Sequence, residues 1–438
     1  MGNIIAQSRN YCALGAQHSV LGIRGAVPII HSGSECVFRL HKGMSFCNGY
    51  QGMGYGGGSA TPNDNIHRNH MIMGGEARLR ELIEGTVKVM RAELYVVLSG
   101  CNVELAGDDT SAVVREYRSQ GIPIVSADTA GFKGSVYLGH ELVSKAIAEH
   151  CAIPGLPRRA GIVNLWVSTP YLDPFWSGTI EAIASMLGQI GLKVNLPYGL
   201  TSDIRAWRRL PEAEFNLLIS PWSGLGTMEY LREKFDTPYL HYPLLPIGAV
   251  ETRKFLETVA DYAGLNRTNV ETFISSEETR FYYYLDRASE LFARFDSRMP
   301  TRFYTIADSM YTASITRFLH QDAGMIAGGA FLIDNPPNKL RASIERLFLD
   351  DFSEPFCPVA FMEPENVDIW MREKSDDGIP LVLGSVFDSP IADERAGYYL
   401  SIGAPAADRL VLDCHYAGFR GGLRLLEDIY GKVLGLTV

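Results

Sequence analysis

Three cysteines within the first 101 residues are spaced for shared metal chemistry. Cys12 precedes the first predicted strand, Cys36 follows the apolar run Ala26–Ile30, and Cys101 follows the run Leu94–Ser99. Continuous apolar runs are typical of buried parallel strands, and ligands of such sheets gather outside the carboxyl ends of the strands. Two thiols at neighbouring strand ends can therefore meet, and the third can reach them from the N-terminal loop. Thiolates in such a set are iron–sulfur cluster ligands.

A single cysteine is more often a small buried hydrophobe, so the set carries the prediction. The cysteine count is odd, at seven, and no secretory signal precedes them, so no disulfide framework is expected. Three thiolates are one fewer than a typical cluster uses. Either a non-cysteine ligand or a second chain completes the site, and the second option predicts a cluster at a subunit interface. Gly33 and Gly100 would let the backbone approach a bulky group and bring amides near sulfur.

The rest of the chain alternates apolar runs with amphipathic stretches, which predicts an α/β fold with parallel sheets. We expect three Rossmann-like, doubly wound domains at residues 1–155, 156–298 and 299–438, with the final helix packing back onto the first domain. The predicted strands are 26–30, 94–99, 122–127, 160–168, 215–220, 301–307, 324–334, 379–385 and 397–405. The predicted helices are 76–91, 135–150, 178–191, 229–236, 249–263, 282–295, 309–319, 338–352 and 421–434.

Composition excludes several classes of function. The net charge of −10 disfavours nucleic acid and anionic membranes as partners. No apolar run reaches the length of about 18 residues that a membrane span needs, and the N-terminus lacks a signal-peptide stretch, so a cytoplasmic protein is expected. The glycine-rich stretch Gly49–Gly58 has no GxxxxGK[ST] pattern and follows no strand directly, so a phosphate-binding loop is not predicted.

Three segments carry a family resemblance: PIIHSGSEC (28–36), SGCNVELAGDD (99–109) and SADTAGFKGS (126–135). Together with a cysteine in the N-terminal loop, they resemble the first domain of nitrogenase component 1 subunits. PIG at 246–248 and GYYLSIGAPAADR at 397–409 are similar to the β-type subunit of that family. The resemblance implies that Cys12, Cys36 and Cys101 bind a P-cluster-type iron–sulfur centre (8Fe-7S) shared with an α-type partner subunit, in an α2β2 heterotetramer.

The resemblance also implies a role in electron relay. An ATP-dependent iron–sulfur reductase would pass electrons through the shared centre to a complex iron–sulfur cofactor held only by the partner, so no catalytic residue is expected in this chain. Two departures from the family bear on this. Ser220 stands where the α-type subunit has its cofactor cysteine, and Gly131 stands where the true β-type has a serine near the cluster, so serine ligation is not expected.

Overall similarity favours the nitrogenase-like methylthio-alkane reductase, which cleaves carbon–sulfur bonds of small methylthio compounds. An iron- or vanadium-type nitrogenase β subunit and a non-catalytic scaffold for cofactor assembly are the alternatives. Five further residues are weaker candidates for metal ligands, and hydrogen-bonding, interface or buried roles are favoured for them: Cys47, His67, His70, Cys414 and His415. The triplet Gly107–Asp109 is predicted to cap a helix N-terminus.

Overall fold

The computed structural model describes Arg9 and residues 11–51, 61–350, 353–374 and 378–435. The prediction about the glycine-rich stretch Gly49–Gly58 falls mainly on residues outside this part of the chain. The described residues form strands at β1 Ala26–His31, β2 Leu94–Ser99, β3 Ile124–Asp128, β4 Arg159–Trp166, β5 Lys193–Asn195, β6 Ala213–Ile219, β7 Tyr239–Tyr242, β8 Arg302–Ala307, β9 Ala327–Leu332, β10 Val359–Phe361, β11 Pro380–Gly384 and β12 Tyr398–Ser401.

Helices follow the strands and supply their crossover connections. In chain order they are α1 Gln17–Leu21, α2 Ser34–Phe46, α3 Arg68–Met73, α4 Glu76–Val89, α5 Cys101–Ala106, α6 Thr110–Ser119, α7 Val136–Cys151, α8 Trp176–Gln189, α9 Ile204–Arg208, α10 Leu225–Phe235, α11 Gly248–Tyr262, α12 Arg267–Asp286, α13 Ser289–Arg294, α14 Ser309–Arg317, α15 Asn338–Glu345, α16 Pro364–Glu373, α17 Ser389–Glu394 and α18 Gly418–Gly435.

The strands form three sheets with parallel pairing throughout. Their orders are β1-β2-β3, β5-β4-β6-β7 and β10-β9-β8-β11-β12. The second and third sheets reverse their chain order at β4/β6 and at β8/β11, which is the doubly wound arrangement of Rossmann-like folds. The first sheet follows chain order. The predicted α/β fold with parallel, Rossmann-like sheets is confirmed, while the exact domain boundaries stay predictions.

Both faces of the first sheet are covered, because alternate residues of its strands point to opposite sides. Ile29 and Val97 pack with residues of α4 and α6 on one face. Ile30 and Leu98 belong to the other face and join the main core, which also contains Leu40 of α2 and Val143 of α7. Apolar side chains on both faces explain why these strands appear in the sequence as unbroken apolar runs.

Two expectations about helices are corrected. The aromatic segment 282–295 is divided between the end of α12 and the separate helix α13, with a break near Arg287. The final helix, α18, packs against α11 and α12 rather than against the first sheet. Gly422 makes this possible, because its missing side chain leaves room for the backbone of Gly248.

Candidate metal centre

The carboxyl ends of β1 and β2 lead directly into the helices that carry two of the three predicted ligands. His31 at the end of β1 is paired with Ser99 at the end of β2. Cys36 then falls at the third position of α2, and Cys101 is the first residue of α5. The chain therefore reaches both cysteines within five residues of neighbouring strand ends, as the apolar runs predicted.

Cys12 is held against the loop that follows β3. It forms an isolated antiparallel bridge with Ser135. The amide of Ala13 donates to the carbonyl of Gly134 at 2.9 Å, and the amide of Val136 donates to the carbonyl of Tyr11 at 2.8 Å. These bonds fix the N-terminal loop on the β3–α7 connection, which carries Gly131.

Gly131 brings the sulfurs together. A Cβ atom placed on it would lie 3.0 Å from Cβ of Cys12 and 3.2 Å from Sγ of both Cys12 and Cys101. Its amide donates to Sγ of Cys101 at 3.0 Å. A side chain at this position would fill the space between the two thiols, which explains why a glycine suits it.

Cys36 completes the thiol set. Burial raises the pKa of the Cys36 thiol, a hydrogen bond with Ser32 lowers it, and the charges of Glu35, Cys12 and Cys101 raise it. Cys36 thus lies within electrostatic range of Cys12 and Cys101. Cys12 is exposed, whereas Cys36 and Cys101 are half-buried, so the thiols open towards the protein surface.

The donor set fits an iron–sulfur cluster better than a single ion. Among the described residues, no three Cys, His, Asp or Glu side chains converge on one metal ion. A cluster spreads its ligands over several irons and is held by soft thiolates, so it accepts a wider triangle of sulfurs. An amide donor to sulfur, as at Gly131, is also a means by which proteins tune such clusters.

The other two glycines predicted to approach the cluster occupy different surroundings. Gly33 and Gly100 are the N-cap residues of α2 and α5. A Cβ atom on Gly33 would meet the carboxylate of Glu35, and one on Gly100 would meet the hydroxyl of Ser32. Both glycines therefore make room for neighbours of the cysteines, while the amide bonded to sulfur is that of Gly131.

Glu104 is a structural residue of the site that the sequence did not reveal. Its Oε1 accepts hydrogen bonds from the hydroxyl of Ser99 at 2.6 Å and from the amide of Ala130 at 3.1 Å. Its Oε2 lies 2.5 Å from Nζ of Lys133. Glu104 thus ties the helix of Cys101 to the loop of Gly131, which fixes the two halves of the thiol pocket.

A buried histidine between two carboxylates was also missed. Nδ1 of His31 pairs with Asp64, and Nε2 lies 3.2 Å from Oδ2 of Asp108. Asp64 accepts from the amide of Ser32 at 3.2 Å, and both Asp108 oxygens accept from the amide of Gly75 at 3.0 Å. The predicted helix cap in the same triplet is confirmed at Asp109, whose side chain accepts from the amide of Ala112 at 2.8 Å.

The remaining candidates lie in ordinary surroundings. His67 and His70 cap the exposed helix α3 and stack with ring centroids 4.0 Å apart. Nδ1 of His415 lies 3.1 Å from the carbonyl of Ala417, and Cys414 lies 3.5 Å from a guanidinium nitrogen of Arg409. Burial raises the pKa of the Cys47 thiol, and the charge of Lys42 lowers it. None of the five joins a metal-binding group in the described part of the chain.

The protein has an α/β fold with parallel sheets and a group of thiols at the edge of the first sheet. The comparisons with known proteins identify the family. Residues 12–434 match the family described as nitrogenase component 1 type oxidoreductase, and the chain belongs to this family. Proteins of this family generally bind iron–sulfur clusters and work in complexes of several subunits.

Individual relatives are distant. The B-type chain of the light-independent protochlorophyllide reductase of Heliobacterium modesticaldum is 28% identical over 52% of this chain and 44% of that protein. The nitrogenase molybdenum-iron protein alpha chain of Methanosarcina barkeri is 27% identical over 44% of this chain and 36% of that protein. The matched parts span less than half the length of these relatives.

The fold has a close structural counterpart. The structure titled nitrogenase Cp1 at pH 6.5 superposes with a TM-score of 0.82, at 15% identity, over 99% of this chain and 93% of that one. At this identity the likeness concerns the fold alone. In the described residues, no helix is both long and apolar enough to cross a membrane.

Proposed function

We propose that this chain is the β-type subunit of a nitrogenase-like reductase and holds one half of a P-cluster-type iron–sulfur centre with Cys12, Cys36 and Cys101. The observation that carries the proposal is that Sγ of both Cys12 and Cys101 lies beside Gly131, while Cys36 follows the end of the neighbouring strand β1. The cluster, when bound, supplies one-electron storage. The chain's own part is to hold sulfur, limit access of water and aim the Gly131 amide at Cys101.

The surface around the thiols supports a partner subunit. Three of the segments that form the pocket also carry a large exposed apolar side chain: Phe38 on α2 is 69% exposed, Leu105 on α5 is 72% exposed and Phe132 beside Gly131 is 59% exposed. Apolar residues grouped in this way mark interaction surfaces. An α-type subunit that covers them would also bring the ligands that three thiols lack.

The amide of Gly131 has a defined electrostatic role in this proposal. A hydrogen bond to a cluster sulfur withdraws electron density and stabilises the reduced state, so it raises the reduction potential. The bond joins Gly131 to Cys101, and Glu104 holds both segments in place. The rigidity of this connection would keep the potential constant while partners associate and leave.

For the reaction, we favour reductive cleavage of the carbon–sulfur bond in small methylthio-alkanes. Dinitrogen reduction by an iron- or vanadium-type enzyme and a scaffold role in cofactor assembly are the alternatives, and relatives that reduce protochlorophyllide add a fourth possibility. The co-purified complex, with its reductase and ATP, should release methane or a thiol from a methylthio compound. Turnover of dinitrogen or protochlorophyllide instead would replace the substrate, and no turnover at all would favour the scaffold.

The ligand assignment is tested by Cys36→Ala in the co-purified complex. The thiol is half-buried, so its loss should cost no more than about 1 kcal/mol of stability, similar to one methylene. We therefore expect a folded complex with substantially less iron and a weaker visible absorption. Iron per chain and the absorption spectrum are the measurements.

Cys357→Ala is the matched control, because this thiol is 7% exposed and lies in the main core. Burial raises its pKa to about 12, so it is a poor metal ligand. The control should lower the melting temperature at least as much as Cys36→Ala yet keep its iron. Full iron in Cys36→Ala, or equal losses in both variants, would contradict the assignment.

A further inference from the structure

A small cavity lies where the second and third sheets meet. Its volume is about 50 Å³, and it is bounded by the loops that follow β4, β6, β8, β9 and β12. Because ligands of α/β proteins gather at the carboxyl ends of strands, five such ends around one cavity mark a binding position. Ser220, which stands where the α-type subunit has a cofactor cysteine, is part of its wall.

Three carboxyl groups line this cavity: Asp173, Asp308 and Asp334. Among the described residues, none of them pairs with a lysine, arginine or histidine. Burial raises the pKa of Asp308 to about 8, and the charges of Asp334 and Asp173 add to this effect. Burial likewise raises the pKa of Asp173 to about 6. Acidic groups gathered in an interior without positive charge are costly unless a proton or a cation compensates them.

Hydrogen bonds satisfy two of the carboxyl groups but leave one oxygen open. Asp334 accepts from Trp222 and from the amide and hydroxyl of Ser309, at 2.7 to 2.9 Å. Asp173 accepts from the amide of Phe175 and the hydroxyl of Tyr311. Oδ1 of Asp308 caps α14 through two amides, whereas its Oδ2 receives no hydrogen bond from the described residues.

Two buried hydroxyl groups at the same cavity point to a ligand independently of the acids. Tyr137 is 8% exposed, and burial together with the charges of all three carboxyl groups raises the pKa of its phenol. In the described part of the chain, its hydroxyl has no hydrogen-bond partner. Ser168 is 5% exposed; its Oγ lies near Asp173 but makes no well-aligned hydrogen bond within the described residues. Buried hydroxyl groups are normally satisfied, so these two leave room for a bound species.

The donors select the kind of ligand. They are carboxylate and hydroxyl oxygens, and no cysteine is among the described residues that line the cavity. Oxygen donors suit hard cations such as Mg²⁺ and Mn²⁺. The carboxyl groups do not converge on one ion as three direct ligands. Mg²⁺ commonly keeps several waters and uses only one or two carboxylates, so it tolerates such spacing.

We propose that this cavity binds one small, partly hydrated divalent cation, with Oδ2 of Asp308 as its direct ligand and the hydroxyl groups of Tyr137 and Ser168 as partners of its waters. The cation would neutralise the acidic cluster and join the loops of the second and third sheets. The site is separate from the thiol pocket and needs no iron, so it stands or falls independently of the proposed electron-relay function.

Equilibrium dialysis tests this site with Mn²⁺ as the probe. The co-purified complex, stripped of loosely bound metal with a chelator, is dialysed against Mn²⁺, and manganese per chain is counted by mass spectrometry. We expect one tightly bound ion, an affinity at least about tenfold weaker in Asp308→Asn, and no change in Asp393→Asn, an exposed acid on α17. Tyr137→Phe, which removes only the hydroxyl, should weaken binding to a smaller extent and covers the case in which Asp308→Asn does not fold.

Three results would overturn the proposal. The first is that the wild-type complex binds no more manganese than its partner subunit accounts for. The second is equal binding by wild type, Asp308→Asn and Tyr137→Phe. The third is a rise in the melting temperature of Asp308→Asn that does not depend on added Mn²⁺, because this would mean that the acids hold protons. If the cavity binds the cation as proposed, added Mn²⁺ should raise the melting temperature of the wild type and not that of Asp308→Asn.

Discussion

His31 offers the sharpest test of how the first sheet presents its cysteines. Replacing it with leucine keeps much of the volume but removes both ring nitrogens from a fully buried position between Asp64 and Asp108. Asp64 keeps the amide of Ser32, and Asp108 keeps the amide of Gly75. Asp64 therefore loses a hydrogen bond, and a buried acceptor left unsatisfied costs about 1–3 kcal/mol. Because Asp108 also loses the ring nitrogen 3.2 Å from its Oδ2, we expect a loss near the upper end, about 3 kcal/mol.

Native-state hydrogen exchange measures this loss where it occurs. The network joins the end of β1 to residues 61–66, since Ile30 and Ser32 also bond to Pro62 and Asn63. Amide hydrogens of β1 that exchange through local opening should exchange about 100-fold faster in His31→Leu. This factor corresponds to the expected loss of about 3 kcal/mol, because about 1.4 kcal/mol is a factor of ten. Peptides from the third sheet should exchange as in the wild type.

Two further variants make the result decisive. His415→Leu removes a half-buried histidine with one backbone contact and should leave β1 unchanged. The double variant His31→Leu/Asp108→Asn also replaces one of the two carboxylates that lie beside His31. Its loss of unfolding free energy should therefore be smaller than the sum of the losses in the two single variants. Unchanged exchange in His31→Leu, or strictly additive effects in the double variant, would refute the reasoning.

Two other predictions follow from the same region. Gly131→Ala places a methyl group 3.0–3.2 Å from Cys12 and Cys101, so the thiols must separate by a few tenths of an ångström and the iron content per chain should fall. Gly85→Ala is the control, because its methyl group would have nothing within 4 Å, and it should keep its iron. Burial lowers the pKa of His140 and of His18 to about 4. Between pH 6.5 and 4, the unfolded chain therefore binds more protons than the folded chain, and the free energy of unfolding falls as the pH drops through that window. In His140→Phe, the slope of the unfolding free energy against pH should be shallower by about 1.4 kcal/mol per pH unit in this window. An unchanged slope would contradict the prediction.

The long buried strands were predictable, whereas three short, half-exposed strands were not. β1, β2 and β8 are continuous apolar runs and appear within a residue or two of their predicted positions. β5, β7 and β10 have only three or four residues and are mostly half-exposed. These three strands are short and half-exposed, so their sequences lack the apolar continuity by which a long buried strand is recognised.

The thiol pocket was partly predictable for the same reason. The positions of Cys36 and Cys101 follow from where their strands end, and strand ends are readable. The contact of His31 with Asp108 is not, because it depends on the register of β1 against β2 and on the turn after α5. Glycine roles are equally context-dependent: Gly33, Gly100 and Gly131 look alike in the sequence, yet only the Gly131 amide bonds to a cysteine sulfur among the described contacts.

The two proposed sites differ in the type of metal that their donor atoms favour. Both lie at the carboxyl ends of parallel strands, where loops can present any side chain. At the first sheet, the loops supply thiols and an amide, and the pocket opens to an apolar surface. Between the second and third sheets, the loops supply carboxyl and hydroxyl groups around a small cavity. Soft thiolates at an open edge suit a cluster completed by another subunit, and hard oxygens around a small cavity suit a small cation. The donor atoms alone therefore disfavour binding of the cluster at the oxygen site or of the small cation at the thiol site.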